Sequence, residues 1–420
     1  MKTNLRVTVL AILTTAPLPV LAGGLMLYEV GTDNVGLANA GAAARAQDPS
    51  TLASNVAGMA FLPGTQITAG AQLLHGNLRF DVDNGTNVGG GDSGNAVEWV
   101  PGGSLFVSHE LGDGWSVGFA NYGDFGLSVD YDNSWSGRYF LQNGELLGMT
   151  FMPTLAYKLN ENWAFGIGVR AYYAKLVNEL AVNNGPLAGD GSAKYKADDW
   201  SYGASLGVMY SPQPGTRLGL SYTSEINLDF KDKLKLEGIG PVAQHALQER
   251  GVLDAATKIN MHVPQTLTFS IYHELDTQWA LLASANWQDW SRFGQVGIDL
   301  DSNQPKSVSL DAKFKDTWHL SLGTQYRFDR RWMWMAGIGY DSSAVDDKNR
   351  TVTIPMAETW RFGSGFTYTL DSQTEVNVSY EFASMGDMPI TQEKPDGTRI
   401  SGSFNNAWIQ ALSTSATWRF

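Results

Sequence analysis

The side chains best suited to chemistry in this chain are an acidic cluster and six histidines. Asp81, Asp83 and Asp92 have part of the spacing of a calcium-binding loop, in which carboxylate oxygens ligate the cation. Thr86, however, occupies the position at which such a loop needs glycine. We therefore interpret residues 81–92 as an exposed polar loop. No metal-ligand spacing relates the histidines, which are His75, His109, His245, His262, His273 and His319.

Catalytic groups of other kinds are not indicated either. The chain contains no cysteine, which excludes thiol chemistry and disulfide bonds. We find no serine or carboxylate constellation typical of a hydrolase. We predict that the chain is not an enzyme and that it uses no cofactor and no metal ion.

The first 22 residues have the features of a secretory signal peptide. Lys2 and Arg6 give a positive start, residues 7–20 form an apolar run, and Ala22 ends a small-residue cleavage site. The alternative is a transmembrane anchor, which needs about 20 apolar residues. This run is shorter and is interrupted by two prolines, so we predict that residues 1–22 are removed on export.

Charge and hydropathy argue against a nucleic-acid-binding protein and against a helical membrane protein. The chain has 29 basic and 42 acidic residues, a net charge of −13, which becomes about −15 when Lys2 and Arg6 are removed. Nucleic acid is therefore not an expected partner. No later segment has an apolar run long enough for a membrane helix, which leaves a soluble protein or a β-barrel.

From residue 65 onward, fourteen segments read as strands, and tight turns alternate with long loops between them. The six tight turns are residues 111–114, 159–162, 212–215, 275–278, 328–331 and 370–373. The seven long connections centre on residues 83–95, 132–137, 183–192, 234–261, 301–310, 342–353 and 390–399. Outer-membrane barrels have this layout, with short periplasmic turns and longer extracellular loops, and a soluble sandwich has no reason to sort its loops this way. We predict an all-β transmembrane barrel of fourteen antiparallel strands over residues 65–420, including one long strand over residues 279–300.

The alternation within single strands predicts which face meets lipid. Trp163, Phe165 and the following odd positions are apolar, whereas Arg170 lies on the other face. In the same way Trp318 and its partners face out, which leaves four polar residues inside: His319, Ser321, Gln325 and Arg327. Charged inward faces are the opposite of a soluble core.

Aromatic residues mark the membrane interface and the end of the chain. Tryptophans recur beside the tight turns, where an aromatic girdle is expected; they are Trp115, Trp163, Trp279, Trp332 and Trp334. The last strand ends at Phe420, and this pattern resembles the signal that the outer-membrane assembly machinery reads. We predict a monomer in the bacterial outer membrane, in contact with outer-membrane lipid and lipopolysaccharide.

Residues 23–64 differ from the rest of the mature chain. They are rich in alanine and glycine, poor in aromatic residues, and have no sustained alternation. We predict that they form a partly helical plug inside the barrel, which we call the hatch. A plug argues against an open aqueous porin and against a purely structural or adhesive barrel.

These residues resemble the FadL family of outer-membrane transporters for long-chain fatty acids and hydrocarbons, over nearly all of the mature chain. The resemblance is carried by Leu27-Tyr28-Glu29, Gly36-Leu37-Ala38-Asn39-Ala40-Gly41, Trp99-Val100-Pro101, Asn121-Tyr122-Gly123, Asn162-Trp163-Ala164-Phe165-Gly166, Asp276-Thr277-Gln278-Trp279-Ala280, Asp289-Trp290-Ser291 and Ile354-Pro355. It implies a fourteen-stranded barrel with an N-terminal hatch.

The resemblance also implies two structural sites. The family's Asn-Pro-Ala motif in the hatch corresponds to Asn55-Val56-Ala57, in which the proline is absent. An inward kink of the third strand, which opens the wall sideways into the membrane, corresponds to Asn121-Tyr122-Gly123-Asp124-Phe125. Gly123 breaks the outward alternation, and Asp124 is unfavourable on a face that meets lipid. A simple β-bulge is the alternative interpretation.

Family members hold a ligand carboxylate with basic residues on the fifth and tenth strands. The best matches are Lys175 and Lys315, but the alternation places Lys175 on the outward face, which makes Arg170 the better inward cation. Leu25, Met26 and Leu27, at the mature N-terminus, are further candidates to contact the ligand.

The predicted function is passive transport of hydrophobic small molecules, such as long-chain fatty acids, through capture at the loops, an apolar pocket and lateral release. The third extracellular loop, residues 183–192, is shorter than in fatty-acid importers of the family, so half of their capture groove is missing. The fourth, residues 234–261, is long enough for a helix. The short loop keeps aromatic or aliphatic hydrocarbons open as ligands, and export of a fatty-acid derivative also stays open.

Overall fold

A computed structural model describes residues 28, 30–97, 99–185, 189–241, 244–245, 248, 256–301, 306–394 and 396–420. Within these residues there are twenty strands, β1 to β20 in chain order: Thr65–Asn77, Phe80–Val82, Val100–Gly112, Trp115–Asp130, Asn143–Lys158, Trp163–Val182, Gly191–Gln213, Thr216–Thr223, Ile226–Lys233, Lys235–Glu237, Ala256–Val263, Thr266–Glu274, Trp279–Gln288, Gln295–Asp301, Lys306–Asp311, Thr317–Arg327, Trp332–Asp341, Thr359–Thr369, Thr374–Glu393 and Arg399–Arg419. The helical segments are α1 (Thr32–Gly36), α2 (Thr51–Ser54), α3 (Trp290–Phe293), and two 3₁₀ turns, Val56–Phe61 and Asp347–Asn349. None of the described helices is long and apolar enough to cross a membrane.

Fourteen of the strands form one closed antiparallel barrel. They are β1, β3 to β8, β12, β13 and β16 to β20, and each pairs with the next. The last strand pairs back onto the first, from Gln66 opposite Arg419 to Asn77 opposite Trp408. The predicted strand number is confirmed, and the six predicted tight turns are the short connections within six hairpins.

A second, smaller sheet stands on the loop side of the barrel. Its four strands have the order β15-β14-β11-β9. The prediction of one strand over residues 279–300 is wrong, because β13 ends at Gln288 and α3 follows before β14 joins this second sheet. The helix predicted within residues 234–261 rests on Val242, Ala246, Leu247 and Leu253, which lie outside the described residues.

The two faces of the barrel strands follow the predicted alternation. Trp318 and Leu322 are 52% and 64% exposed, whereas His319 between them is fully buried. Tryptophans beside the tight turns pack against tyrosines directly opposite, at ring distances between 4.4 and 4.6 Å; the pairs are Trp115–Tyr157, Trp163–Tyr210, Trp279–Tyr326 and Trp332–Tyr368. Such cross-strand aromatic pairs stabilise neighbouring strands.

The described residues before β1 fill the barrel interior. Nearly every residue from Val30 to Met59 is buried. Helix α1 contacts β17 to β20, and the 3₁₀ turn Val56–Phe61 contacts β4 to β7. Inward-facing glycines make this approach possible, since a Cβ atom at Gly219 or Gly337 would lie 1.8 Å from the Ala43 carbonyl oxygen or 1.9 Å from that of Leu37.

Candidate functional site

The third barrel strand, β4, contains a β-bulge at Asp124. Its pairing with β5 runs regularly from Trp115 to Gly123, and then shifts so that Phe125 lies opposite Gly148. Asp124 is therefore an extra residue without an opposite partner, and such a residue bends the strand and increases its twist. The irregularity lies within the predicted segment Asn121 to Phe125.

The wall of the barrel is incomplete beside this bulge. Pairing between β3 and β4 ends at Ser104 opposite Tyr122. Above that point residues 100–103 pair in the described ladders with β1, and β4 pairs with β5. The wall closes again where the Asp130 amide donates to the Ala96 carbonyl oxygen at 2.9 Å. We call the opening between residues 100–103 and 123–129 the lateral gap.

The sequence of β3 explains why it behaves as a sheet edge at this height. Its first residues are Val100-Pro101-Gly102-Gly103. Proline has no amide hydrogen to donate to a ladder, so strands carry it at edges, and glycine weakens pairing. Unpaired backbone groups cost several kcal/mol each in hydrocarbon, so the lateral gap must be met by polar groups or lie near the interface.

A buried ion pair lies on the inner side of the lateral gap. Arg170 Nη2 on β6 donates to Asp124 Oδ2 at 2.6 Å, across the intervening strand β5. Thr150 Oγ1 on β5 also donates to Asp124 Oδ2, at 3.3 Å. The guanidinium also lies 5.4 Å from the centroid of the Tyr172 ring. Buried charges need such partners, so Asp124 and Arg170 hold each other inside the barrel.

Both side chains line an internal cavity of about 90 Å³ between the hatch and the wall. The hatch contributes Tyr28, Val30, Asn34, Asn39, Ala42, Ala53 and Ser54. The wall contributes mainly hydroxyl and amide side chains, among them Ser221, Thr223, Thr266, Thr268, Asn286 and Gln288. The cavity can therefore accommodate a polar head group.

A buried apolar cluster lies next to the cavity, on the loop side. Phe125 packs against Trp290 and Phe293 at ring distances of 6.1 and 5.7 Å, and Phe293 against Phe314 at 5.9 Å. This aromatic cluster, Phe125, Trp290, Phe293 and Phe314, connects the second sheet to the bulge. On a path from the loops to the bulge, the apolar aromatic cluster therefore comes before the polar cavity.

A larger cavity, of about 620 Å³, opens at the tight-turn end of the barrel. It is lined by charged residues of the hatch and of the turns, including Asp33, Arg327, Arg331, Glu375 and Arg419. It lies far along the strands from the bulge, because these wall residues belong to the tight-turn ends of β16 to β20. Its charged lining does not suit an apolar ligand.

The two predicted lysines lie away from the internal cavity. Lys175 shares the outward face of β6 with Trp163, and its ammonium lies 2.8 Å from both carboxylate oxygens of Glu145. Lys315 precedes β16 and bonds Asp346 at 2.5 Å. Its hydrogen bond lowers the pKa of the exposed Asp346 carboxyl. Of the three predicted cations, only Arg170 lines the cavity; Leu25, Met26 and Leu27 lie outside the described residues.

The hatch motif is tied to the wall through Asn55. Its Nδ2 donates to the Ala43 carbonyl oxygen at 2.7 Å and to that of Val208 on β7 at 3.1 Å. Its Oδ1 accepts from the Ala57 amide at 3.0 Å and so caps the 3₁₀ turn. Val56, in the place of the family's proline, is fully buried.

One contact that sequence reasoning missed holds the first described residue of the hatch. Tyr28 stacks on His319 at 4.4 Å, and its hydroxyl accepts from Gln288 Nε2. The Arg361 guanidinium lies 5.0 Å from the Tyr28 ring, and Asp341 bonds both Arg361 and His319. The alternation of β16 did place His319 on the inward face, but it could not predict which residue His319 contacts there.

Comparison with known proteins identifies the group to which this barrel belongs. Residues 12–420 match the family described as outer membrane protein transport protein (OMPP1/FadL/TodX). The chain belongs to this family. A FadL-family relative, the long-chain fatty acid transport protein of Escherichia coli O6:H1 (strain CFT073), is 26% identical over 420 residues, covering 92% of this chain and 93% of the relative.

Solved structures of FadL-type proteins have the same fold. A Pseudomonas aeruginosa FadL homologue superposes with a TM-score of 0.86 at 21% identity, covering 94% of this chain and 100% of the homologue. The Ralstonia pickettii toluene transporter TbuX has a TM-score of 0.68 at 16% identity, with coverage of 94% and 100%. The predicted resemblance to FadL is confirmed, as is the location in the bacterial outer membrane. This FadL-type chain is a transport protein and not an enzyme.

One sequence match to a hydrolase motif has no catalytic setting. Residues 203–207 read Gly-Ala-Ser-Leu-Gly, but they lie within β7 and not at a strand-to-helix turn. Ser205 is buried and pairs opposite Gly168 and Thr223.

Proposed function

We propose that this FadL-type outer-membrane transporter of hydrophobic molecules carries long-chain fatty acids or related lipids down their concentration gradient. The ligand is captured at the extracellular loops, passes the aromatic cluster, places its head group in the internal cavity and leaves through the lateral gap. The observation that carries this proposal is the unpaired stretch of wall beside the bulge at Asp124. The name of the Escherichia coli relative supports fatty acid as the ligand class.

The physical problem is that an apolar solute must cross a charged outer surface without entering bulk water. Burial of the ligand supplies about 0.8 kcal/mol per methylene, so an apolar surface near the loops can extract it. An exit into the membrane keeps that burial energy, whereas an exit into the periplasm would lose it. Transport by this route needs no energy source.

The cavity favours an acid over a neutral hydrocarbon. Arg170 lines it, and a cation with hydrogen-bond donors is the natural partner of a carboxylate. Toluene has no group that could use this cation. The connection between β6 and β7 is short, so we do not place capture in a groove between long loops.

The remaining predictions about the chain belong to the same proposal. Residues 1–22 would act as a signal peptide, residues 23–64 as the hatch and residues 65–420 as the barrel. Phe420 is 73% exposed, which leaves its side chain available to the assembly machinery. The outward aromatic face would contact outer-membrane lipid and lipopolysaccharide, and we propose that the chain acts as a monomer.

The test is uptake of labelled palmitate, hexadecanol and toluene by cells with and without the gene. We expect the gene to raise palmitate uptake most, because palmitate alone combines a long chain with a carboxylate. Greater uptake of toluene would favour the hydrocarbon alternative. Equal uptake of all three probes with and without the gene would rule out the proposed function. Mass spectrometry of the apolar molecule that co-purifies would identify the natural ligand.

A further inference from the structure

The buried ion pair between Asp124 and Arg170 leaves one hydrogen-bond donor of the guanidinium unused. Arg170 bonds the carboxylate through Nη2, and the same nitrogen lies 3.3 Å from Thr150 Oγ1. Among the described residues, Arg170 Nε has no hydrogen-bond partner, whereas the Asp124 carboxylate interacts with the Tyr172 hydroxyl as well as with Arg170 and Thr150. Guanidinium and carboxylate groups commonly form two parallel hydrogen bonds. The Arg170 side chain is only 3% exposed, so water does not supply the missing contacts freely.

The position of Asp124 couples this pair to the wall. Asp124 is the extra residue of the bulge, and the next residue, Phe125, belongs to the aromatic cluster. The lateral gap begins one residue earlier, where pairing with β3 has ended at Tyr122. Asp124 therefore joins the ion pair to the backbone at the edge of the gap.

We infer that Asp124 occupies the place of a ligand carboxylate on Arg170, and that an acidic amphiphile widens the lateral gap by displacing it. Two carboxylates held by one buried guanidinium repel each other, so the arrival of the second expels the first. The ligand gains the unused Nε–H as well as Nη2, and Asp124 withdraws toward the gap. The bulge then shifts, and the apolar chain follows through the wall.

This inference rests on the proposed function and specifies its substrate class. A fatty acid has the carboxylate that can displace Asp124 from Arg170, whereas an alcohol or a hydrocarbon of equal length has none. Asp124 thus acts as a specificity residue that holds the gap narrow until a carboxylate replaces it.

The test uses the purified full-length chain in a non-ionic detergent, with palmitate and hexadecanol as probes. Asp124→Asn keeps the size of the side chain but removes the competing charge, so we expect palmitate to bind about tenfold more tightly while hexadecanol binding stays unchanged. Arg170→Gln should reduce palmitate binding to the level of hexadecanol. The double variant Asp124→Asn/Arg170→Gln leaves no unpaired buried charge, and it should also bind both probes equally.

The matched control is Glu145→Gln, which removes a carboxylate from β5, the strand between those of Asp124 and Arg170, on the outward face beside Lys175. It should change neither binding constant. Unchanged palmitate affinity in Asp124→Asn, or an equal change for both probes, would overturn the inference while leaving transport in place. If the wild-type chain binds neither probe, the proposed function itself fails.

Discussion

At the scale of single residues, the hatch shows how one side chain can satisfy several buried groups. Asn55 serves two carbonyl oxygens and one amide, which joins the hatch to itself and to β7. The residue that follows it departs from the family's pattern, yet the backbone keeps a geometry suited to proline. Asn55 is extended, with ψ of 106°, and Val56 begins a 3₁₀ turn.

Val56→Pro should therefore be tolerated and should raise the free energy of unfolding by up to about 1 kcal/mol, because proline restricts the unfolded chain. Thermal unfolding in detergent measures the change. The control is Ala57→Pro, which removes the amide that Asn55 caps and should lower stability by about 1–3 kcal/mol. Equal losses in both variants would show that the backbone at Val56 does not suit proline.

The contact between Asp124 and Arg170 could not be predicted from the sequence. Both residues could be selected in advance, one from the resemblance and one from the alternation. Their contact could not, because they are 46 positions apart on strands that are not neighbours. The lateral gap is easier to recognise in the sequence, because Pro101-Gly102-Gly103 is a composition typical of a sheet edge.

At the scale of elements, the bulge of β4 and the first residues of β3, which in the described ladders do not pair with β4, together form the lateral gap. Gly123 is the last residue of β4 to pair with β5 before the register shifts. Gly123→Val would place a branched side chain at the bend, and we expect lower palmitate uptake from an intact barrel. Uptake by cells and thermal unfolding of the purified variant measure the two effects. Uptake at the wild-type rate would count against the lateral route.

The close contact between the hatch and the barrel wall leads to a separate prediction. A Cβ atom at Gly337 on β17 would lie 1.9 Å from the Leu37 carbonyl oxygen, so Gly337→Ala should push the hatch from the wall. Overpacking of this kind costs about 1–3 kcal/mol, and we expect higher ion conductance in planar bilayers. Gly297→Ala is the control, because its Cβ would meet Asn260 at an ordinary 3.5 Å. Equal conductance of the two variants would contradict the tight seat.

Elements were predictable to different degrees for a physical reason. Fourteen strands could be read because alternation and tight turns are local features. The course of residues 279–300 could not, because Val296 and Ile298 continue an apolar alternation after Asp289. The place of β14 in the second sheet depends on the pairing of residues 297–301 with β11, which is distant in sequence.

At the scale of the whole molecule, a route from the loops into the membrane predicts downhill transport. Liposomes that contain the purified chain and no ion gradient should bring palmitate to the same concentration on both sides, from either direction. Protein-free liposomes of the same lipid give the background rate. Accumulation above the external concentration would require an energy source and would contradict the mechanism.

The barrel also constrains the order in which it can be assembled. Thr32 in the hatch bonds Ser413 on β20 at 2.9 Å, across 381 residues, and β1 pairs with β20 along twelve positions from Gln66 to Asn77. Joining segments so far apart is slow, because the loop entropy is lost before the contacts form. We therefore expect the hatch to settle among the growing strands first, so that each barrel is sealed around a plug that is already in place.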